Sequence, residues 1–349
     1  MTYCAGWKYK SAVFLLADAA ATKPIKPQTT HSSFGQLQAE VRGEYVEESL
    51  LKLVPIGLGT AVALAGDVGL ATACLDFLRD NLTATSSLPD LLGLMATNLG
   101  PFSSGRPVEL LLARTSDIGE SELLHWDTIR GLNPAVSDYF QIGSLTSYHA
   151  AMTPALLNQF AAGNLDPDRM LPIAVAIVQS YGVYDNLVEM NVGGVIFGIQ
   201  TRGGTVSWLP DTNFVLYDPS FSTKEIITAI SRDNALILSS SITDDTRVLG
   251  HSTSTPDPTL WSSDWLQKAK VALDTGKTPL WIFINVGERV ITVIFRSDVD
   301  ADSKYVRLSN LGEGKFDLAI SPELMALLTH PLVDRNDGSF PFRLNVRND

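Results

Sequence analysis

Two adjacent apolar runs at the start of the chain decide the fold: T-Y-C-A-G-W-K-Y, residues 2–9, and S-A-V-F-L-L-A-D, residues 11–18. Aromatic and β-branched residues interrupted by small ones favour strands in both runs. The short link Tyr9-Lys10-Ser11 predicts a tight hairpin between them. We therefore expect two paired strands at residues 2–9 and 11–19, with Asp18 at the end of the second apolar run.

Working outward, the pattern alternates between groups of strands and pairs of helices. Residues 23–48 are polar, and we expect a loop there with one exposed strand near 36–46. Further strands are predicted at 51–57, 59–65, 107–116, 121–129, 139–143, 192–200 and 204–209, and helices at 67–83, 88–99, 148–163 and 167–182. Such an order fits two sheets packed face to face with helices outside, although periodicity alone predicts only a mixed α/β protein.

Residues 218–349 carry a second set of predicted elements. Strands are expected at 235–240, 279–286 and 289–296, and helices at 223–231, 261–273 and 321–329. This part of the chain contains no catalytic motif. It is either a second domain or a decoration packed on the first part.

Thr2 is the first residue whose chemistry stands out. If Met1 is removed, which the small side chain of Thr2 permits, the free α-amine can act as the base for the threonine hydroxyl. Such an amine titrates at roughly pH 7.7–8.0, so much of it is neutral under cellular conditions. A lysine such as Lys52 favours the neutral amine, a carboxylate such as Asp18 holds that lysine, and the backbone N–H of Gly66 faces a developing oxyanion.

Over residues 2–215 the chain resembles a proteasome β-type subunit of the Ntn-hydrolase superfamily. The resemblance rests on the spacing of Thr2 to Asp18 and of Lys52 to Gly66, on Ala21-Thr22 after the acid, and on the later Gly143-Ser144 turn. It implies an α+β fold, a four-layer αββα sandwich over residues 1–217, with an additional α/β region at 218–349.

The resemblance also implies roles for individual residues. Thr22 would bind the substrate backbone, Leu64 would shape a pocket for a neutral side chain, and Ser144 would hydrogen-bond the terminal amine. Ala20 stands where the family often has arginine. The insertion between Asp18 and Lys52 leaves Lys23 and Lys26 open as alternatives to Lys52. The family's second acid has two candidates, Asp185 and Glu189, and the serine that follows it in the family is missing.

The leading expectation is a threonine-type amidohydrolase that cleaves peptides through an acyl-enzyme on Thr2, without a cofactor. A non-catalytic proteasome-like structural or binding subunit is the alternative, and an enzyme for small amides is a third reading. Because family subunits form rings, the resemblance implies a homo-oligomer and makes an ATPase a candidate partner.

Composition narrows the class further. The 349 residues are 45% hydrophobic and 18% charged, with a net charge of −12, so nucleic-acid binding is not expected. No run reaches a membrane span, and no signal peptide is predicted. Cys4 and Cys74 are expected to be buried free thiols, and the histidines lack metal-site spacing. These features favour a cytoplasmic protein.

Overall fold

The computed structural model describes most of the chain, and the account below is confined to the described residues. These are 2–26, 30–37, 40–41, 43–100, 105–144, 147–185, 187–218, 220, 224–232, 235–251, 278–295, 306–312, 315–323, 328 and 343–348. The helix predicted at 261–273 lies outside them, and most of the helix predicted at 321–329 does too.

The predicted opening hairpin forms the centre of a five-stranded antiparallel sheet, which we call the first sheet. Its strand order is β11-β1-β2-β12-β13. The strands are β1 (Tyr3–Tyr9), β2 (Ala12–Asp18), β11 (Tyr139–Gly143), β12 (Ile196–Arg202) and β13 (Thr205–Trp208). Lys10 makes the hairpin turn with a φ of 54°. Strand β2 lies between β1 and β12 and is buried along its whole length.

A second five-stranded sheet packs face to face on the first. Its order is β10-β9-β8-β7-β6, built from β6 (Leu53–Gly57), β7 (Thr60–Gly66), β8 (Val108–Thr115), β9 (Ser121–Asp127) and β10 (Gly131–Leu132). Alternate residues of β7 face opposite ways: Ala61 and Ala63 join the core shared with the first sheet, whereas Val62 and Leu64 join a cluster beneath helices. Both faces of this sheet are therefore covered.

Two helices cover the outer face of the second sheet. Helix α1 (Val68–Asn81) begins where the Asp67 side chain accepts the N–H of Leu70, and α2 (Leu88–Leu99) begins where Ser87 accepts the N–H of Asp90. These interactions are ordinary N-caps, since an oxygen-bearing side chain satisfies a free N–H of the first turn. Both helices fall where the sequence predicts them.

The other two helices pack on the first sheet. They are α3 (Ser147–Ala162) and α4 (Pro167–Tyr184), the latter capped by Asp166 with proline at its first position. Helix α4 is buried nearly all round, because it contacts β2 and β12 on one side and strand β19 (Val290–Phe295) on the other. A 3-10 helix (Leu187–Met190) follows it.

Strand β19 belongs to a seven-stranded sheet, the C-terminal sheet. Its order is β17-β16-β15-β14-β18-β19-β22. The strands are β14 (Thr212–Tyr217), β15 (Lys224–Arg232), β16 (Ala235–Ser240), β17 (Asp245–Leu249), β18 (Leu280–Asn285), β19 (Val290–Phe295) and β22 (Arg343–Asn348). One hydrophobic cluster runs from β1 and β2 through α4 into β14, β18 and β19, so this sheet shares its core with the first part of the chain.

The helix predicted at 223–231 is wrong, because this segment is strand β15. Its sequence K-E-I-I-T-A-I-S-R is rich in β-branched residues, and it pairs antiparallel with both β14 and β16. A three-stranded sheet of β3 (Ala20–Lys23), β5 (Glu44–Glu48) and β4 (Glu40–Val41) and a hairpin of β20 (Val306–Gly312) and β21 (Lys315–Ile320) complete the described strands.

The described part of the chain is thus a mixed α+β fold with four α-helices and mostly antiparallel sheets, as the sequence predicts in outline. Cys4 and Cys74 are buried free thiols, as expected. None of the helices within the described ranges has the length and apolar character that crossing a bilayer requires.

Candidate active site

The carboxylate of Asp18 is the centre of the candidate site. It is buried at the end of β2, where its Oδ1 accepts the N–H of Tyr3 at 2.9 Å and its Oδ2 accepts the N–H groups of Ala20 and Gly193, both at 3.1 Å. A buried carboxylate is stable only when such donors satisfy it. Two of these donors are distant in sequence, so the hairpin and the loop before β12 both hold this side chain.

Lys52, rather than Lys23, is the lysine that pairs with Asp18. Its Nζ lies 2.6 Å from Asp18 Oδ1, and both side chains are almost wholly enclosed. Lys23 instead pairs with Glu47 at 2.7 Å, where both partners are partly exposed. The arrangement places an ammonium group beside the first residues of β1 in a poorly hydrated pocket, where charges act strongly.

Thr2 lies directly beside this pair, because Asp18 receives the N–H of the next residue, Tyr3. Thr2 is buried, and its carbonyl oxygen accepts the N–H of Ser144 at 2.6 Å. Gly143 makes this contact possible: its φ is 88°, and a Cβ there would lie 1.6 Å from the Thr2 carbonyl oxygen. The Gly143-Ser144 turn therefore fixes the backbone of the candidate nucleophile.

Strand geometry directs the Thr2 side chain toward the second sheet. In β1, Cys4 donates its S–H to the carbonyl oxygen of Leu64 at 3.5 Å, and a Cβ at Gly6 would contact Leu111 and Leu123. Alternate residues share a face, so Thr2 faces the same way as Cys4 and Gly6. Leu111 pairs with Ala63 of β7, and Cys4 contacts the carbonyl oxygen of Leu64, the next residue of β7. The direction from Gly6 through Cys4 to Thr2 is therefore the direction in which β7 runs from Ala63 to Gly66.

Gly66 ends β7 with an exposed backbone and a φ of 104°. A Cβ there would lie 2.0 Å from the carbonyl oxygen of Pro107, so only glycine fits this bend. Asp67 follows and caps α1. The bend alone therefore explains why residue 66 is glycine, without any catalytic role. The missing side chain also leaves the backbone at this position unobstructed.

Glu109 is a residue at this site that the sequence does not reveal. It is paired with Ala65, next to Gly66, and its Oε2 accepts the N–H of Gly143 at 3.1 Å. It therefore links the end of β7 to the turn that holds Thr2. Its position near the start of an otherwise apolar strand, V-E-L-L-L-A-R-T, is the only sequence signal, and that signal does not indicate the contact across the two sheets.

The pKa of the Cys4 thiol reflects its burial and the charged groups around it. Burial raises its pKa far above the usual range; the Lys52 ammonium opposes that rise, and the carboxylates of Asp18 and Glu109 add to it. A thiol so disfavoured as a thiolate is a packing residue and a poor nucleophile. Next to the Asp18–Lys52 pair, the residue that carries a hydroxyl group is Thr2.

Thr22 and Leu64 lie in different surroundings. Thr22 is half-buried on β3, which pairs with β5 on one side only and so leaves one backbone edge without a strand among the described residues. The side chain of Leu64 is buried in the cluster under α1. The structure thus puts Thr22 on a sheet edge, in the strand whose first residue, Ala20, donates its N–H to Asp18. It puts the Leu64 side chain under a helix, with the carbonyl oxygen of Leu64 reaching Cys4.

Of the two candidates for a second acid, Asp185 does not join the Asp18 cluster in the described contacts. Asp185 is exposed after α4, and its Oδ2 lies 2.8 Å from Nε2 of His149. The side chain of Glu189 lies outside the described residues. The group from this part of the chain that does bind Asp18 is a backbone one, the N–H of Gly193, which follows the 3-10 helix. No group of metal-binding side chains occurs among the residues described.

Comparisons with known proteins assign no family to the chain. No protein-family model matches it, and no curated protein matches it. The geometry around Thr2 therefore supplies the argument about function.

Proposed function

We propose that this protein is a threonine-type N-terminal-nucleophile amidohydrolase that cleaves peptides through an acyl-enzyme on Thr2. One observation carries the proposal: a buried carboxylate, Asp18, binds both the Lys52 ammonium and the N–H of Tyr3, the residue next to Thr2. A buried ion pair is expensive to maintain for stability alone.

The mechanism follows from the groups present. The Thr2 hydroxyl attacks the substrate carbonyl carbon while its own free α-amine takes the proton. The N–H of Gly66 stabilises the oxyanion of the tetrahedral intermediate. The proton passes to the leaving amine as the C–N bond breaks, which leaves an ester on Thr2. Water then hydrolyses that ester and frees the hydroxyl.

Lys52 and Asp18 serve this sequence through their charges. The Lys52 ammonium disfavours protonation of the nearby α-amine and favours negative charge on the attacking oxygen. Asp18 fixes the ammonium at 2.6 Å and is itself held by three backbone N–H groups. Preorganised charge of this kind costs no reorganisation when the substrate reacts.

Substrate binding would use β3. Its free edge beside Thr22 suits an extended peptide, which gains main-chain hydrogen bonds by adding as a strand. The role of the neutral Leu64 in shaping the pocket for the side chain before the cleaved bond is proposed from the sequence resemblance alone, since this side chain is buried under α1. A peptide with a neutral residue there is the expected substrate.

The finer fold proposal is the four-layer αββα arrangement of the Ntn hydrolases over residues 1–217. The face-to-face sheets, with α1 and α2 on one side and α3 and α4 on the other, support it. A homo-oligomeric ring and an ATPase partner remain part of the proposal from the sequence resemblance. The buried free thiols favour a reducing compartment, for which we propose the cytoplasm.

The decisive experiment determines the N-terminus of the natively expressed protein by mass spectrometry and then adds a threonine-reactive epoxyketone. A chain beginning at Thr2 should gain one adduct and lose peptidase activity in parallel. Thr2→Ala supplies the matched control, which should give no adduct. Peptide hydrolysis by a chain that keeps Met1, or by one that forms no adduct, would contradict the role of Thr2.

A non-catalytic proteasome-like binding subunit is the second candidate. The observation that favours it is Asp185, which is exposed and bound to His149 rather than to the Asp18 cluster. Under this reading the mature chain retains Met1, and the Asp18–Lys52 pair is structural. The same N-terminal mass separates the two candidates, because a blocked amine cannot serve as the base.

A further inference from the structure

The edge of the C-terminal sheet reaches the surroundings of Asp18 and Lys52 by two routes. The first begins at Arg247 on β17. Its Nη1 lies 3.3 Å from Oε2 of Glu48, its Nε contacts Asp245 at 2.7 Å, and its Nη2 donates to the carbonyl oxygen of His31 at 3.0 Å. The planar guanidinium suits several acceptors at once, which a lysine cannot match.

Glu48 connects Arg247 to the loop at residues 193–195, which also binds Asp18. Its carboxylate is fully buried; Oε2 accepts the N–H of Ser33 and Oε1 accepts the N–H of Val195, both at 2.7 Å. Without Arg247, a buried negative charge would retain only these two backbone donors. Within the described contacts, Arg247 is the cation that compensates the buried Glu48 carboxylate.

The loop at residues 193–195 receives three anchors in succession. The N–H of Gly193 donates to Asp18, the N–H of Gly194 to Oε1 of Gln36 and the N–H of Val195 to Glu48. Consecutive backbone groups cannot move independently, since a peptide has only two soft dihedrals per residue. Displacing Val195 from Glu48 therefore disturbs the N–H that Gly193 gives to Asp18.

The second route runs to Lys52. The N–H of Leu51, the residue before it, donates to the carbonyl oxygen of Gly250 at 2.7 Å, and Leu50 forms a parallel β-bridge with Gly250. His251 completes the joint, because its Nδ1 lies 3.1 Å from the carbonyl oxygen of Leu51. A carbonyl only accepts, so Nδ1 carries the proton and donates.

We propose that residues 247–251, from Arg247 to His251, form a positioning element that holds both Asp18 and Lys52 in register with Thr2. This inference rests on the proposed function only for its effect on catalysis. Independently of catalysis, it states that the C-terminal sheet is structurally coupled to the Asp18–Lys52 pair. The element gives residues 218–349 a function in the hydrolase: they fix the acid through the loop at 193–195 and the lysine through Leu51.

The test uses the full chain with Arg247→Met, Arg247→Lys and His251→Leu. Arg114→Met is the matched control, because Arg114 is also half-buried and donates to two backbone carbonyls, those of Ser86 and Ala84, away from Asp18. Two readouts are taken: amide hydrogen exchange in peptides covering 50–52 and 193–195, and the kcat and KM of peptide hydrolysis.

For Arg247→Met we expect exchange at 193–195 to accelerate and kcat to fall by about tenfold or more with little change in KM, since small displacements of catalytic groups are costly. Arg247→Lys should recover part of both. His251→Leu should accelerate exchange at 50–52 and also lower kcat. Arg114→Met should move neither readout, even if it lowers thermal stability as much.

The proposal is overturned if Arg247→Met and His251→Leu exchange like Arg114→Met at both segments. It is also overturned if exchange accelerates while kcat stays unchanged. If Arg247→Met does not fold, Arg247→Lys and His251→Leu decide the matter in the same way. Should the wild-type protein hydrolyse no peptide, the hydrolase proposal fails by itself, and the exchange data still decide whether residues 247–251 hold the pair.

Discussion

Two buried ion pairs in different regions of the molecule are built alike. Asp18–Lys52 lies beside Thr2, and Glu48–Arg247 lies where the C-terminal sheet meets the first part of the chain. In each, a carboxylate without solvent exposure binds a cation and backbone N–H groups. Lys52 is enclosed, however, whereas the Arg247 side chain is 13% exposed and shares its donors among three acceptors.

The difference shows why a buried ion pair does not by itself identify an active site. Both pairs satisfy the rule that buried charges must be compensated. Of the two carboxylates, Asp18 is the one that binds the N–H of the residue next to Thr2, the proposed nucleophile. Proximity to Thr2 distinguishes a proposed catalytic pair from a positioning one, and the predictions below test that distinction.

The largest effect is expected from Thr2→Ala. Peptide hydrolysis should fall by roughly 10⁴-fold or more, because the bond-forming oxygen is gone, while the free energy of unfolding changes by less than ~1 kcal/mol. Thr2→Ser retains a hydroxyl and should keep measurable activity. Initial rates with a fluorogenic peptide and urea unfolding provide both quantities. If Thr2→Ala hydrolyses peptides like wild type, the proposed catalytic role no longer distinguishes the Asp18–Lys52 pair from the Glu48–Arg247 pair.

The next effect concerns Lys52→Met. Removing one partner of an enclosed pair leaves an uncompensated charge, so we expect the free energy of unfolding to fall by about 3–5 kcal/mol together with the loss of hydrolysis. Lys23→Met is the control, because Lys23 pairs with Glu47 where both are partly exposed, and such a pair contributes about 0–1 kcal/mol. Equal losses for the two variants would show that Asp18 is not isolated from water.

The first part of the chain could be predicted from sequence because its signals are local. Apolar runs mark β1 and β2, and the helices predicted at 67–83, 88–99, 148–163 and 167–182 are confirmed. The C-terminal sheet gives weaker local signals. Its strand β15 lies inside the sheet and is buried at residues 227–231, so its isoleucines do not alternate with polar residues, and the segment predicts a helix.

In the candidate site, too, some residues are indicated by the sequence and others only by the structure. Spacing along the sequence identifies Thr2, Asp18 and Lys52, but it does not choose Lys52 over Lys23, since that choice depends on which chain segments meet. The contacts of Glu109 with Gly143 and of Gly193 with Asp18 join segments far apart in sequence. No periodicity or local motif encodes such contacts, so they appear only in three dimensions.

Gly143→Ala should have a smaller effect than Lys52→Met, and it probes how firmly Thr2 is held. A Cβ at this position meets the Thr2 carbonyl oxygen, so we expect a loss of about 2–4 kcal/mol in unfolding free energy and a fall in kcat. Gly131→Ala is the control: its φ of 78° is also positive, but a Cβ there has open space, and the cost should be about 1 kcal/mol. Chemical denaturation of both variants separates backbone strain from the clash with Thr2.

The smallest effect is a pH dependence at the junction between the two regions. Burial lowers the pKa of His251, and the hydrogen bond to Leu51 opposes that shift. Since the unfolded imidazole titrates near pH ~6.5, the unfolded chain binds more protons just below that pH. The contribution to stability is therefore complete above pH ~6.5 and is lost as the pH falls through the lower, folded pKa. His251→Gln keeps an N–H donor for Leu51 and cannot titrate, so its urea midpoint should fall less than that of wild type between pH 7.5 and 5.5. An identical decline in both proteins would assign the acid sensitivity to other groups, of which His125, whose pKa burial also lowers, is the first to substitute.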